Sequence, residues 1–234
     1  MKKVAISQSN YIPWKGYFDL IDQVDEFVLY DDMQYTKRDW RNRNKIKLQN
    51  QLSWLSIPVL VKGKYFQKIS ETTISDSNWS EKHWNSIKHA YAKAPFFKEY
   101  KDWLEDLFLN KSKNLEHLSE VNFLFINEIC KFLEIETNIK WSSDFELVDG
   151  QTEKLLGVCK DLESNLYLSG PAAKNYLDED LFSNEKIEVQ WMNYDNYPEY
   201  KQLHGGFEHG VSILDVILNT GKDAKKYALR RHFE

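Results

Sequence analysis

The first thirty residues constrain the fold more than any other stretch of this chain. A short apolar run at residues 4–7 is followed by Tyr17, Leu20, Ile21 and Val24 at helical spacing, and residues 27–30 are apolar again before Asp31 and Asp32. This succession reads as strand, loop, helix, strand. A crossover of that kind makes the two strands parallel and places both loops at their carboxyl ends on one edge of the sheet. The loop 8–16 and the pair Asp31 and Asp32 are therefore expected to be neighbours.

Further along, residues 46–48 and 52–61 are strand-like on either side of Gln49-Asn50-Gln51, which predicts a hairpin extending the sheet. Over residues 80–133 the period turns helical, with Pro95 separating the first two helices. The α/β pattern resumes with a helix near 152–162, a strand at 166–168, the turn Ser169-Gly170-Pro171, another helix and a strand at 187–192. A last helix is expected over 211–219. The fold class is thus α/β, a Rossmann-like, mainly parallel sheet with an added hairpin and a helical insertion. One domain is expected over 1–234, with 1–75 and 138–234 forming the sheet core and 78–135 a helical insertion or lid.

Composition supplies the exclusions. An apolar fraction of 42% is ample for a buried core. The net charge of −5 argues against a general nucleic-acid binder, which needs a dominant basic surface. The chain has no apolar run long enough for a signal peptide or a bilayer span, so a cytoplasmic protein without membrane insertion is expected. Cys130 and Cys159 are far apart and form no CxxC pattern, which indicates core residues rather than a disulfide framework or zinc site, and no metal ligands are assigned.

The chemistry-bearing residues concentrate in two segments. Residues 30–47 crowd lysines, arginines and three carboxylates around aromatic rings. If the latter part is extended, Lys37, Asp39, Arg41, Arg43, Lys45 and Lys47 share one face as a cationic strip, and Arg38, Trp40, Asn42 and Asn44 share the other. Arginine captures phosphate in a bidentate fork, and Tyr or Trp stacks on a base or sugar, so the segment favours a diphosphate-bearing ligand. The bland alternative, a solvated edge strand, leaves Asp31, Asp32, Gln34 and Asn42 without a role. The loop Gln8-Ser-Asn-Tyr-Ile-Pro-Trp-Lys-Gly-Tyr17 stands where many α/β proteins hold phosphate before a helix, although it lacks GxGxxG and GxxxxGK[ST]. Gln8, Asn10 and Lys15 are its polar contacts, Tyr11, Tyr35 or Trp40 the stacking rings, and Gly170 lies at another strand's carboxyl end. Farther on, His204 stands in a Gly-rich loop as a possible general base. Ser212 and Asp215 fit a capping-box variant, with Gly221 as the helix stop.

These motifs together resemble the WbqC-like family, found among bacterial surface-polysaccharide and O-antigen biosynthesis genes. The carriers are Ile6-Ser-Gln-Ser-Asn-Tyr-Ile-Pro-Trp-Lys-Gly-Tyr-Phe-Asp-Leu-Ile21, residues 30–45, Tyr167-Leu-Ser-Gly-Pro171 with Tyr176-Leu177, and Ser212-Ile-Leu-Asp-Val-Ile-Leu-Asn219 with Gly221. Ser9 stands where the family is expected to show proline. The resemblance implies work on activated sugars, with acyl or aminoacyl transfer to the amine of a nucleotide-linked amino sugar as the expected reaction. In that scheme Lys15, Lys37, Arg38, Arg41 and Arg43 hold phosphates, and Asp31, Asp32 or His204 deprotonates the acceptor amine. No cofactor is firmly implied. Nucleotidyl transfer is the rival enzyme, with magnesium at Asp31 or Asp32, and a noncatalytic scaffold of the polysaccharide pathway is the rival from another class.

Overall fold

A computed structural model describes residues 1–233. Its centre is a five-stranded sheet in the order β5-β2-β1-β6-β7, every neighbouring pair parallel. The strands are β1 (Lys3–Ser7), β2 (Glu26–Leu29), β5 (Asn138–Trp141), β6 (Leu166–Ser169) and β7 (Glu188–Trp191). The helix α1 (Lys15–Asp22) makes the crossover from β1 to β2, as the first thirty residues predict.

Period two along each strand divides the core into two layers. Ala5, Phe27, Leu29, Leu166 and Leu168 face one layer, while Val4, Ile6, Val28, Tyr30 and Tyr167 face the other. The second layer is thin, covered by α5 (Gln151–Asp161) and α6 (Glu179–Asn184). The first is thick. It packs α1 and α7 (Ile213–Thr220) together with α2 (Trp79–Tyr91), α3 (Phe97–Asp106) and α4 (Leu118–Phe132), and Trp84, Phe108 and Phe125 from that helical segment are wholly buried in the same cluster as Phe18 and Ile217. A short α8 (Ala224–Ala228) closes this layer beside α1 and α7.

Two features depart from expectation. The hairpin β3 (Arg43–Lys47) and β4 (Leu52–Ser56) does not extend the main sheet but forms its own two-stranded sheet. The edges of the main sheet belong to β5 and β7, and the hairpin instead ties to α7 through Ser212 N–H donating to the Lys45 carbonyl at 2.9 Å. Strand β5 itself is an unexpected element: Asn138-Ile-Lys-Trp141 is a four-residue edge strand whose Ile139 and Trp141 are only partly buried against the core, an alternation too short to stand out. The buried thiols Cys130 and Cys159 are free core residues, pushed up to about 12 by burial. No described helix is long and apolar enough to cross a membrane.

At α7 the caps work as the sequence suggests, with one exchange of partner. Ser212 Oγ accepts from Leu214 N–H, and Gly221 (φ 62°) ends the helix where a Cβ would stand 2.5 Å from the Phe96 ring. Asp215 does not close a capping box. Its buried carboxylate accepts from Tyr91 Oη, Tyr200 Oη and Gln202 Nε2 at 3.0, 2.7 and 2.9 Å.

Candidate functional site

Parallel strands leave a crevice outside their carboxyl ends where the chain turns to opposite sides of the sheet. Here β1 is that point, with β2 on one side and β6 on the other. A pocket of about 450 Å3 opens there. Its floor is Ile6, Ser7, Tyr167 and Ser169; one wall is Gln8, Tyr30, Met33 and Arg41; the other is Gly150, Gln151 and Lys154 at the start of α5 with Gly170 and Tyr176 after β6.

The first wall is built by hydrogen bonds between the loops after β1 and β2. Ser9 donates to both oxygens of buried Asp31, from N–H at 2.8 Å and from Oγ at 2.7 Å. A proline at position 9 has no N–H for the first of these bonds, so serine supplies a tie that the expected family residue lacks. Asn122 of α4 donates to Ser9 Oγ and to the Arg41 carbonyl, each at 2.9 Å. Arg41 is thereby fixed through its own backbone, and one terminal nitrogen of its guanidinium donates to Asn10 Oδ1. Its Nε–H is buried with no hydrogen-bond partner among the described residues. Its other terminal nitrogen lies 3.7 Å from Asp39 Oδ2, so the guanidinium is held in place where it lines the pocket.

The carboxylates behind this wall are already engaged. Burial raises the Asp31 pKa against the opposing hydrogen bonds from Ser9. At Asp32 burial also acts upward, but Lys68 at 2.8 Å and Ser142 Oγ at 2.7 Å outweigh it and hold the pKa below the ordinary value. The residues lining the pocket include no carboxylate and no histidine.

Of the residues selected from the sequence, Gln8, Arg41 and Gly170 line this one pocket, with Asn10 directly behind Arg41. The others are dispersed. Tyr11 is wholly buried, hydrogen-bonded to His83 Nδ1 at 2.8 Å and packed against Trp79 and Phe125. Lys15 is sealed among Tyr197, Tyr200 and Phe207, its pKa lowered to about 8 by burial against the pull of Asp215 and Glu199. Gln34, Tyr35 and Lys37 border a different hollow, and Asn42 Nδ2 bonds the Ile57 carbonyl. Arg38 is exposed and adopts a left-handed φ of 60°. Trp40 and Arg43 meet Trp54 on the outer face of the hairpin. His204 Nε2 donates to the Ala90 carbonyl at 3.0 Å, and the residue faces a third hollow with His89.

The cationic strip is therefore divided. Positions 37–42 are turn rather than strand, so Arg41 turns to the pocket while Arg43 and Lys45 lie on Trp54 and Lys47 is buried against Gln202. Tyr30, Gln151, Lys154 and Tyr176 join the pocket without having been selected. Tyr30 and Tyr176 stand inside the family motifs, but Lys154 has no sequence signal beyond lying one turn into a helix that begins at a glycine.

Fold and cleft define a three-layered α/β protein with a pocket at the topological switch point of its parallel sheet. The chain belongs to the WbqC-like protein family, whose model matches residues 8–227. It is 51% identical over 227 residues to an uncharacterized protein of Mycobacterium tuberculosis, the alignment covering 97% of each chain. No solved structure matches it.

Proposed function

We propose that the protein is a transferase that modifies a nucleotide-activated amino sugar by acyl or aminoacyl transfer to the sugar amine, in bacterial surface-polysaccharide biosynthesis, and that the pocket beside β1 holds the diphosphate. The observation that carries this reading is the presence of Arg41 and Lys154 on the two walls of one pocket that holds no carboxylate. Phosphoryl oxygens suit those donors and the amides at the start of α5. Tyr176, 47% exposed at the pocket, offers a ring face to a base or sugar. Acyl transfer forms the amide bond as the donor's bond to its leaving group breaks, and it releases one proton from the amine; with no carboxylate or histidine in the pocket lining, that proton passes to the leaving group or to solvent.

The rival, nucleotidyl transfer, asks Asp31 or Asp32 to hold magnesium. These residues do not fit that task, because both Asp31 oxygens accept from Ser9 and Asp32 is occupied by Lys68 and Ser142.

The test is calorimetric titration with a panel of nucleotide-linked amino sugars, followed by mass analysis of each sugar after incubation with acyl and aminoacyl donors. Binding of at least one sugar, weakened roughly 10- to 100-fold in Arg41→Ala by the loss of charged hydrogen bonds, and a product mass shift are expected. Absence of both binding and mass shift across the panel overturns the proposal.

A further inference from the structure

The protein's charge is sharply divided along the chain. From Trp40 to Ser70 there are seven lysines and arginines and no aspartate or glutamate, so a chain of net −5 carries −12 outside this segment. The same segment holds five of the eight exposed large hydrophobic residues among those described: Trp40, Trp54, Leu60, Tyr65 and Phe66. Clusters that are apolar and cationic together mark interaction surfaces.

The projecting part is the tip Val61-Lys-Gly-Lys-Tyr-Phe-Gln-Lys68. Gly63, at φ 75° with open space around it, turns the chain. Tyr65 and Phe66 are 74% and 82% exposed and meet each other edge-on at 4.9 Å, which leaves their outer faces to solvent. Lys62 and Lys64 flank them, and Lys37 stands across a hollow of about 610 Å3. The root is firm: Lys68 pairs with Asp32 at 2.8 Å, and Gln34 Nε2 donates to the Tyr65 carbonyl at 2.8 Å.

We infer that this tip is a peripheral docking surface for an anionic lipid bilayer. Tyr65, Phe66 and Leu60 enter the headgroup layer, where amphipathic rings and aliphatic tips lose water, while the lysine stems lie along the same layer and their ammonium groups meet lipid phosphates. The acidic remainder of the molecule is repelled by the same surface, which fixes the tip-down orientation. Single-stranded nucleic acid fits less well. The Trp54 ring is already covered by Arg43 at 4.0 Å and Lys45 at 5.1 Å, and Leu60 offers a base nothing to stack on. The inference does not depend on the proposed sugar chemistry.

The test is flotation of the full chain with vesicles of equimolar phosphatidylglycerol and phosphatidylcholine, against phosphatidylcholine alone. Flotation with the anionic vesicles is expected. It should fall about 5-fold for Lys62→Gln or Lys64→Gln and roughly 30-fold for both, and roughly tenfold or more for Tyr65→Ser with Phe66→Ser. These side chains are exposed, so the variants should keep the wild-type thermal midpoint by circular dichroism. No flotation with anionic vesicles, flotation unchanged by both sets of variants, or vesicle binding abolished by a single-stranded oligonucleotide competing for the tip overturns the inference.

Discussion

At Arg41 three separate constraints meet: a backbone held by Asn122, a terminal nitrogen bonded to Asn10 and the other terminal nitrogen 3.7 Å from Asp39 Oδ2. Its neighbour by alternation, Arg43, lies on the Trp54 ring instead. Arg43→Ala is therefore expected to leave nucleotide-sugar affinity within about twofold of wild type, whereas Arg41→Ala lowers it roughly tenfold or more; titration calorimetry on the two variants separates them. The sequence made the two arginines look equivalent because period two presumes extended backbone, and the left-handed φ at Arg38 shows where that presumption ends. Lys15 is a similar case. Its place at a helix start suggested a phosphate contact, but the aromatic rings that enclose it come from residues 197–207, too distant in sequence for any local pattern to announce. Lys15→Met should bind the sugar nucleotide as wild type does, and its melting temperature at pH 7 should be equal or higher, since a buried cation is replaced by an apolar chain of like length.

His83 gives a pH dependence with a definite sign. Burial lowers its pKa from 6.5 to about 4. The folded state thus binds this proton more weakly than the unfolded state, and the associated stability is fully present above pH 6.5 and lost as pH falls through 4, about 3 kcal/mol in all. Asp22 acts in the opposite sense: burial raises its pKa to about 6, so protonation there favours the fold as pH falls. The clean measurement is the difference between wild type and His83→Asn in urea unfolding at pH 7 and pH 4. Wild type should lose more stability across that interval.

Among the elements, α4 does more than its apolar face implies. Leu118, Val121, Phe125 and Ile129 recur at helical spacing and are buried as that spacing predicts. Asn122 interrupts the pattern, and it is wholly buried because its amide bonds Ser9 and Arg41. Asn122→Ala should cost about 1–3 kcal/mol in denaturant unfolding and also weaken ligand binding; a stability loss with unchanged affinity would show that Arg41 is held without it. The strands were legible in proportion to their burial. β1, β2 and β6 are apolar on both faces and stood out, while β5 has no buried residue and was found only by its pairing with β2. The hairpin was legible as a hairpin, but nothing in its own residues distinguishes adding to a sheet edge from packing on α7.

For the molecule as a whole, residues 78–135 share one apolar cluster with the sheet and α7. A common core unfolds as a unit. A single calorimetric transition is expected for the full chain, with calorimetric and van't Hoff enthalpies equal; two resolved transitions would show that the helical segment is thermodynamically separate. The composition anticipated such a core, but the pocket required the topology, because its two cations come from residues 41 and 154 and meet only through the order of the strands.

The ties among Ser9, Asp31, Asn122 and Arg41 make the two pocket walls unequal. One is bolted to the interior, whereas the other starts at Gly150 and Gly170 and presents exposed Gln151 and Tyr176. Novelty in sugar preference should therefore accumulate around Tyr176, and grafting residues 170–176 from a relative, which leaves Arg41, Gln151 and Lys154 in place, should transplant that relative's taste for substrate while the recipient keeps its grip on phosphate.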